Sequence, residues 1–138
     1  MGRILAIDYG QRRVGLAVTD PLKIISSPLT TVPEKELFEF LKNYFDSEEV
    51  ELVVVGEPKK LDSSDTNASP LVRKFVKQFR SKFDSMPLEL HDERYTSSMA
   101  MKAMISGGMK KKDRRNKENV DKISATIILQ SYLESINR

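Results

Sequence analysis

The run "ELVVVGEP", residues 51 to 58, constrains the fold more than any other part of this sequence. Its apolar residues are consecutive rather than alternating, which is typical of a strand covered on both faces. Such a strand lies inside a sheet that has helices on either side. The sequence therefore predicts an α/β protein with a mixed sheet and helices packed on both faces.

Three further segments have the pattern of strands. "RILAID" and "VGLAVT" are short apolar runs joined by the polar segment "YGQRR", so we expect them to form an antiparallel hairpin. "SSPLTTV" is a weaker strand candidate, and "PLELHDE" alternates as a short strand does. These strands and the central run account for a sheet.

Helical spacing of apolar residues predicts a helix after Pro33, another that begins at Ser69 and a last one from about Asn119 to Ser135. A further helix is expected between Thr96 and Gly107. In the last helix, we expect these side chains to turn inward: Val120, Ile123, Ile127, Ile128 and Leu133.

Composition limits the classes of protein to which the chain can belong. Its 138 residues predict a single domain, residues 1–138. The absence of cysteine and the single histidine exclude thiolate and histidine-rich metal sites, so any metal must be held by oxygen. No apolar run approaches a membrane span and no signal peptide is evident, so we expect a cytoplasmic location. The net charge of +3 indicates only a mild preference for polyanionic partners.

Acidic residues occur at three separated places that this fold could bring together. Asp8 closes the first strand, Asp92 and Glu93 follow "PLEL", and Asp121 lies in the first turn of the last helix. Ligands of such sheets gather near the carboxyl ends of the central strands. Alternation puts Asp8 on the same face as Ala6, where a carboxylate is costly unless it is paired or binds a metal.

A cluster of carboxylates without histidine or cysteine suits hard cations such as Mg²⁺ or Mn²⁺. Two such ions could activate water and stabilise the leaving oxygen in phosphodiester cleavage. Each acid also has a simpler interpretation: Asp8 as a turn residue, Asp121 as a helix N-terminal acid, and "HDER" as a surface group of salt bridges.

Four motifs resemble, in order and spacing, those of the YqgF family, also called RuvX: "DYGQRRVGLAVTD", "VVVGEP", "DERYTS" and "DKISATIILQSYL". This family is similar to RuvC-type Holliday junction resolvases. The resemblance spans nearly the whole chain. It implies an RNase H-like fold with a five-stranded mixed sheet and helices on both faces.

The resemblance also implies a function and a site. It implies that Asp8, Glu93 and Asp121 are the catalytic acids and that they bind metal. The implied metal is a pair of Mg²⁺ or Mn²⁺ ions. The implied activity is that of a metal-dependent endonuclease acting on structured nucleic acid, and the implied process is maturation of the 5′ end of precursor 16S rRNA in ribosome biogenesis. Cleavage of branched DNA at Holliday junctions, or RNA binding in ribosome assembly without catalysis, are the alternatives.

The sequence departs from the family pattern at Glu57, where an apolar residue is common, and in "KKLDSSDTNAS", which lacks the usual glycine. Glu57 is either a fourth acid near the metals or a loop residue that faces solvent.

Basic residues near the acids are candidates for phosphate contacts. Arg12 and Arg13 follow Asp8, and Arg94 follows Glu93. Alternatively, Arg13 pairs with Asp20 or another local acid, and Arg94 pairs with Asp92 or Glu57. The basic run "KKKDRRNK" just before the last helix supplies the other candidates: Lys110, Lys111, Lys112, Arg114 and Arg115.

One other class of enzyme shares the opening motif. An Asp-x-Gly hairpin also occurs in the phosphate loop of actin-like ATPases and sugar kinases, but those proteins need two such domains. A nuclease is therefore the preferred interpretation. We expect a nucleic-acid partner, no membrane association, and a monomer or homodimer.

Overall fold

The structure is a computed structural model that describes residues 2–58, 69–92 and 117–136. Its strands are β1 (Arg3–Asp8), β2 (Arg13–Thr19), β3 (Ser26–Pro33), β4 (Val50–Glu57) and β5 (Leu88–Asp92). Its helices are α1 (Leu37–Ser47), which follows a 3₁₀ turn (Glu34–Glu36), α2 (Ser69–Lys82) and α3 (Lys117–Ile136). The helix expected between Thr96 and Gly107 lies outside the described residues.

The strands form one five-stranded sheet in the order β3-β2-β1-β4-β5. The predicted hairpin is confirmed, with β1 antiparallel to β2 and Asp8 opposite Gly15. The turn of this hairpin requires glycine at position 10, because a Cβ there would lie 2.4 Å from the carbonyl oxygen of Arg13. The predicted weak strand is β3, which pairs with β2 along the outer edge.

β1, β4 and β5 are parallel, so their carboxyl ends lie at the same edge of the sheet. Each of these strands ends in an acid: Asp8, Glu57 and Asp92, respectively. We call this edge the carboxyl edge. The order of elements from a hairpin into parallel strands thus brings acids that are distant in sequence to one side of the molecule.

Alternation along the strands divides the core in two. On one face, Leu5 and Ile7 of β1 pack with Val53 and Val55 of β4 beneath α1 and α2. On the other face, Ile4 and Ala6 pack with Val54 beneath α3. The prediction of helices on both faces of a mixed sheet is therefore confirmed, and we refer to the α1/α2 face and the α3 face.

The buried side of α3 differs in part from the prediction. Ile128 and Leu133 are buried as expected, but Ile123 and Ile127 are only partly buried. The stripe on the sheet consists instead of Ser124, Ala125, Ile128, Leu129, Tyr132 and Leu133. Small residues fit here because α3 crosses β1 and β2 above Ala6 and Ala17. The side chain of Val120 lies outside the described part.

The helix predicted to begin at Ser69 is confirmed as α2, and it has a buried apolar stripe. Val72, Phe75, Val76 and Phe79 are buried, whereas Leu71 is 37% exposed. Within the described residues, no helix is both long and apolar enough to cross a membrane.

Candidate active site

Asp8 lies at the end of a central strand, on the α3 face. The side chains of Ile4 and Ala6, four and two residues earlier, pack against α3, and strand alternation places Asp8 on their side. This position agrees with the expectation from the sequence. Asp8 is half-buried and takes part in polar interactions.

Glycines occupy both strand positions beside Asp8. Gly15 is its partner on β2. On β4, the register pairs Ile7 with Val55, so that Gly56 follows beside Asp8. Neither neighbour projects a side chain in front of the carboxylate, which leaves space for a ligand there. The sequence analysis missed this feature, although a glycine inside each of two apolar runs was a signal for it.

Glu57 and Asp92 lie at the same edge but on the opposite face. They are register partners on β4 and β5. Val53, Val55 and Leu88 of these strands belong to the α1/α2 core, so alternation puts both acids on that face. Glu57 is the last residue of a strand rather than the loop residue proposed as the simpler alternative, and its face differs from that of Asp8.

Asp121 belongs to α3, the helix that covers the face of Asp8. Its position is one turn before Ser124 and Ala125, both of which are buried against the sheet. Its side chain is outside the described part, as is Glu93, which follows Asp92 at the end of β5. Among the described residues, no group of three acids or histidines is close enough to hold a metal ion.

Arg13 begins β2 beside this site. Val14, Leu16 and Val18 face α1 and α2, whereas Ala17 faces α3. Alternation therefore places Arg13 on the side of Asp8, two residues from Gly15. Arg12, in the preceding turn, is exposed.

The alternative pairing of Arg13 with Asp20 is not realised, because these residues lie at opposite ends of β2. Asp20 instead accepts 2.8 Å hydrogen bonds from the amides of Ile24 and Ile25. Backbone donors, the Ile25 amide foremost, lower the pKa of the Asp20 carboxyl.

Tyr9 anchors the end of β1 to the α1/α2 face. Its ring stacks on Phe75 with 4.6 Å between centroids, and its hydroxyl donates a 2.8 Å hydrogen bond to Glu34. Burial, together with the bond to Glu34, raises the pKa of Tyr9 to about 12. Because Tyr9 is the next residue after Asp8, these contacts fix the backbone that carries the carboxylate.

His91 connects β5 to α3 through its side chain. Its Nε2 lies 2.8 Å from Ser131 Oγ, and its ring meets the edge of Tyr132. Burial lowers the pKa of His91, and Asp92 opposes this shift. Tyr132 also donates a 2.6 Å hydrogen bond to Glu89.

The other predicted phosphate contacts lie outside the described residues: Arg94, Lys110, Lys111, Lys112, Arg114 and Arg115. They stay predictions.

The fold places this chain among proteins with the architecture of Holliday junction resolvases. The fowlpox virus resolvase, solved with its junction DNA, superposes with a TM-score of 0.62 at 12% identity, covering 99% of each chain. RuvC of T. thermophilus, also solved with a junction substrate, gives a TM-score of 0.52 at 16% identity, covering 98% of this chain and 96% of RuvC. These similarities define an RNase H-like, resolvase-type fold.

Sequence comparison then identifies the family. The model of the RuvX family, described as Holliday junction resolvase, matches residues 2–135, and the chain belongs to that family of nucleases. A protein of Christiangramia forsetii named "Putative pre-16S rRNA nuclease" is 56% identical over 133 residues, which are 96% of this chain and 98% of that protein. A protein of Phocaeicola vulgatus with the same name is 53% identical over 135 residues, 98% of this chain and 97% of that protein. The resemblance found in the four motifs is thereby confirmed.

Proposed function

We propose that residues 1–138 form one nuclease domain that hydrolyses phosphodiester bonds in precursor 16S rRNA in the cytoplasm. The observation that carries this proposal is the position of Asp8, between Gly15 and Gly56 and beneath the helix that contains Asp121. The names of the relatives at about 50% identity supply the substrate.

We propose Asp8, Glu93 and Asp121 as the ligands of two Mg²⁺ or Mn²⁺ ions. The residues present fit such ions, since the carboxylate of Asp8 offers hard oxygen donors beside two positions without side chains. When bound, the ions supply Lewis acidity and a water of lowered pKa. Residues 89 and 91 of β5 contact α3, and Glu93 is two residues further along the chain.

In this proposal, the protein residues position the substrate. Arg13 lies on the face of Asp8, where a guanidinium suits a phosphate oxygen pair, and Arg12 lies in the exposed turn. Arg94 and the basic run before α3 provide further phosphate contacts. The paired strands on both sides of β1 and the anchor at Tyr9 hold the Asp8 carboxylate in place.

A second candidate substrate is branched DNA, because the matched family is described as Holliday junction resolvase. Both substrates would be cleaved by hydrolysis of a phosphodiester bond, and the choice between them depends on which polyanion fits the contacts around the site. A four-way DNA junction is therefore the necessary comparison in any assay.

The test compares the parent chain with Asp8→Asn on precursor 16S rRNA and on a four-way DNA junction, with Mg²⁺, with Mn²⁺ and without metal. We expect metal-dependent cleavage by the parent, and a loss of at least about 100-fold in Asp8→Asn, because a metal ligand is removed. Thermal unfolding without metal should show that Asp8→Asn is at least as stable as the parent, since the substitution removes a carboxylate that the other proposed acids repel when no cation is bound.

Glu57→Gln is the matched control, an acid-to-amide change at the same edge but on the other face. It should leave cleavage within a few-fold of the parent. Cleavage that persists in Asp8→Asn would contradict the site, and binding of RNA without any cleavage would favour the assembly factor instead.

A further inference from the structure

The exposed side of α2 is strongly basic. Between its ends at Ser69 and Lys82, the helix contains no acid, and its buried side is the apolar stripe described above. Its five basic residues are all exposed: Arg73, Lys74, Lys77, Arg80 and Lys82. None of them belongs to the phosphate contacts proposed around the active site.

Most of these cations lie along one line of the helix. Arg73, Lys77 and Arg80 are spaced at i, i+4 and i+7, so they form a row about 10 Å long on one flank, and Lys74 lies beside it. We call these four residues the α2 basic row. Lys82 is on the other flank, where its ammonium lies 5.2 Å from the ring centroid of Phe38.

The neighbouring element on the same face has the opposite charge. The 3₁₀ turn and α1, residues 34–47, contain four acids and two lysines, and more acids follow at 48 and 49. A polyanion approaching this face is therefore attracted to α2 and repelled from α1. This charge separation directs a polyanion on this face toward the α2 basic row.

The row leads away from the carboxyl edge. Ser69, the first residue of α2, donates a 2.7 Å hydrogen bond to the carbonyl of Pro58, which follows β4 directly. Nearly two turns further, Phe75 stacks on Tyr9, the neighbour of Asp8. A strand of nucleic acid cleaved at that edge could thus continue along α2.

We infer that the α2 basic row binds the phosphate backbone of the nucleic acid at a distance from the bond that is cleaved. This inference rests on the proposed function, and it adds a contact surface on the α1/α2 face. Nucleic acid is the occupant that the row fits, because the row contains cations at one per helical turn and no apolar side chain of the kind a membrane- or protein-binding helix face presents.

Lys77 and Arg80 are the members best suited to a test. They lie in the third and fourth turns of α2, away from Glu57 and Asp92, which are on the same face at the carboxyl edge, near the start of the helix. Glutamine has a helix propensity similar to that of both residues, so the helix is preserved. The test variant is therefore K77Q/R80Q.

Binding is measured by fluorescence anisotropy over a range of salt concentrations, in the Asp8→Asn background without metal, so that cleavage plays no part. The probes are a labelled fragment of precursor 16S rRNA and a labelled four-way DNA junction. We expect K77Q/R80Q to bind roughly tenfold more weakly at low salt. The slope of log K against log salt should become smaller by roughly 1.4 to 1.8, the value for two lost phosphate contacts.

The control K35Q/K42Q removes the same net charge from the acidic neighbour. It should leave both affinity and slope nearly unchanged. Equal weakening of nucleic-acid binding in the two double variants, or an unchanged slope in K77Q/R80Q, would overturn the inference. It would also be overturned if K77Q/R80Q bound anionic lipid vesicles more weakly than the parent but bound both nucleic acids equally well. Absence of cleavage by the parent chain would overturn the proposed nuclease function and not this contact surface.

Discussion

The two faces of the sheet share the same strands but are covered by side chains of very different size. Aromatic rings fill the α1/α2 face. Phe75 and Phe79 of α2 contact each other, Phe79 contacts Phe83, the residue directly after this helix, and Phe75 contacts Phe38 of α1. On the α3 face, the strands present Ala6, Gly15 and Ala17 where the other side has leucine and isoleucine. The comparison indicates that one face supplies most of the apolar burial, and the other leaves room beside Asp8.

The largest effect on stability should come from truncation on the aromatic face. Phe75→Ala removes a ring that is 1% exposed and contacts Tyr9, Phe38 and Phe79. We expect the free energy of unfolding to fall by about 3–5 kcal/mol. Chemical denaturation measures the change.

Ile128→Val on the α3 face serves as its comparison, and should cost only about 0.5–1.5 kcal/mol. A loss in Phe75→Ala no larger than in Ile128→Val would contradict the idea that the aromatic face dominates stability.

An intermediate effect should come from enlarging a small residue on the α3 face. Ala6 is fully buried between the sheet and α3, so Ala6→Leu forces side chains or the helix to move, at about 1–3 kcal/mol. Thermal unfolding should show the loss. Val53→Leu, a smaller enlargement on the other face, is the control. If Ala6→Leu were neutral, the α3 face would not be closely packed at this point.

The smallest effect concerns a polar contact on the α3 face. Tyr132→Phe removes the hydrogen bond to Glu89 and should cost about 0.5–1.5 kcal/mol at neutral pH. Burial and this bond raise the pKa of Tyr132 to about 12 in the folded protein, above the value of 10.0 expected when unfolded. The stabilisation is therefore complete below pH 10 and is lost as the pH rises from about 10 to 12.

Denaturation of parent and variant at pH 8 and at about pH 11 measures this pH dependence. The difference in free energy of unfolding between them should shrink at the higher pH. Tyr44→Phe is a control on the α1/α2 face, where burial, rather than a side-chain hydrogen bond, is the largest cause of the raised pKa of Tyr44. A difference that grows with pH would contradict the assignment.

Much of this architecture could be predicted from the sequence because the strands carry strong patterns. The consecutive apolar residues of β4 predicted a strand inside the sheet. The short polar link between β1 and β2 predicted the hairpin. Alternation alone placed Asp8 on the face of Ala6. These patterns are local properties of the sequence, so they can be recognised before the pairing of distant strands is known.

Features that depend on register or helix crossing could not be predicted. The inward stripe of α3 includes Ala125 and Tyr132 rather than Ile123 and Ile127, because the fit to small residues on β1 and β2 outweighs hydrophobicity. Likewise, the glycine on each side of Asp8 emerges only when three strands are aligned. The assignment of Glu57 to the face opposite Asp8 also needed the register of β1 with β4 and the helices that cover each face.

The strand order of the sheet has a consequence for backbone dynamics. Among the described strands, β1 is hydrogen-bonded on both sides, whereas β5 has one neighbour. We therefore expect the amide hydrogens of β1 to exchange with solvent only through large-scale opening, and those on the side of β5 away from β4 to exchange through smaller local fluctuations. Asp8 would then end the strand with the slowest exchange, whereas Glu93 directly follows a strand with faster exchange.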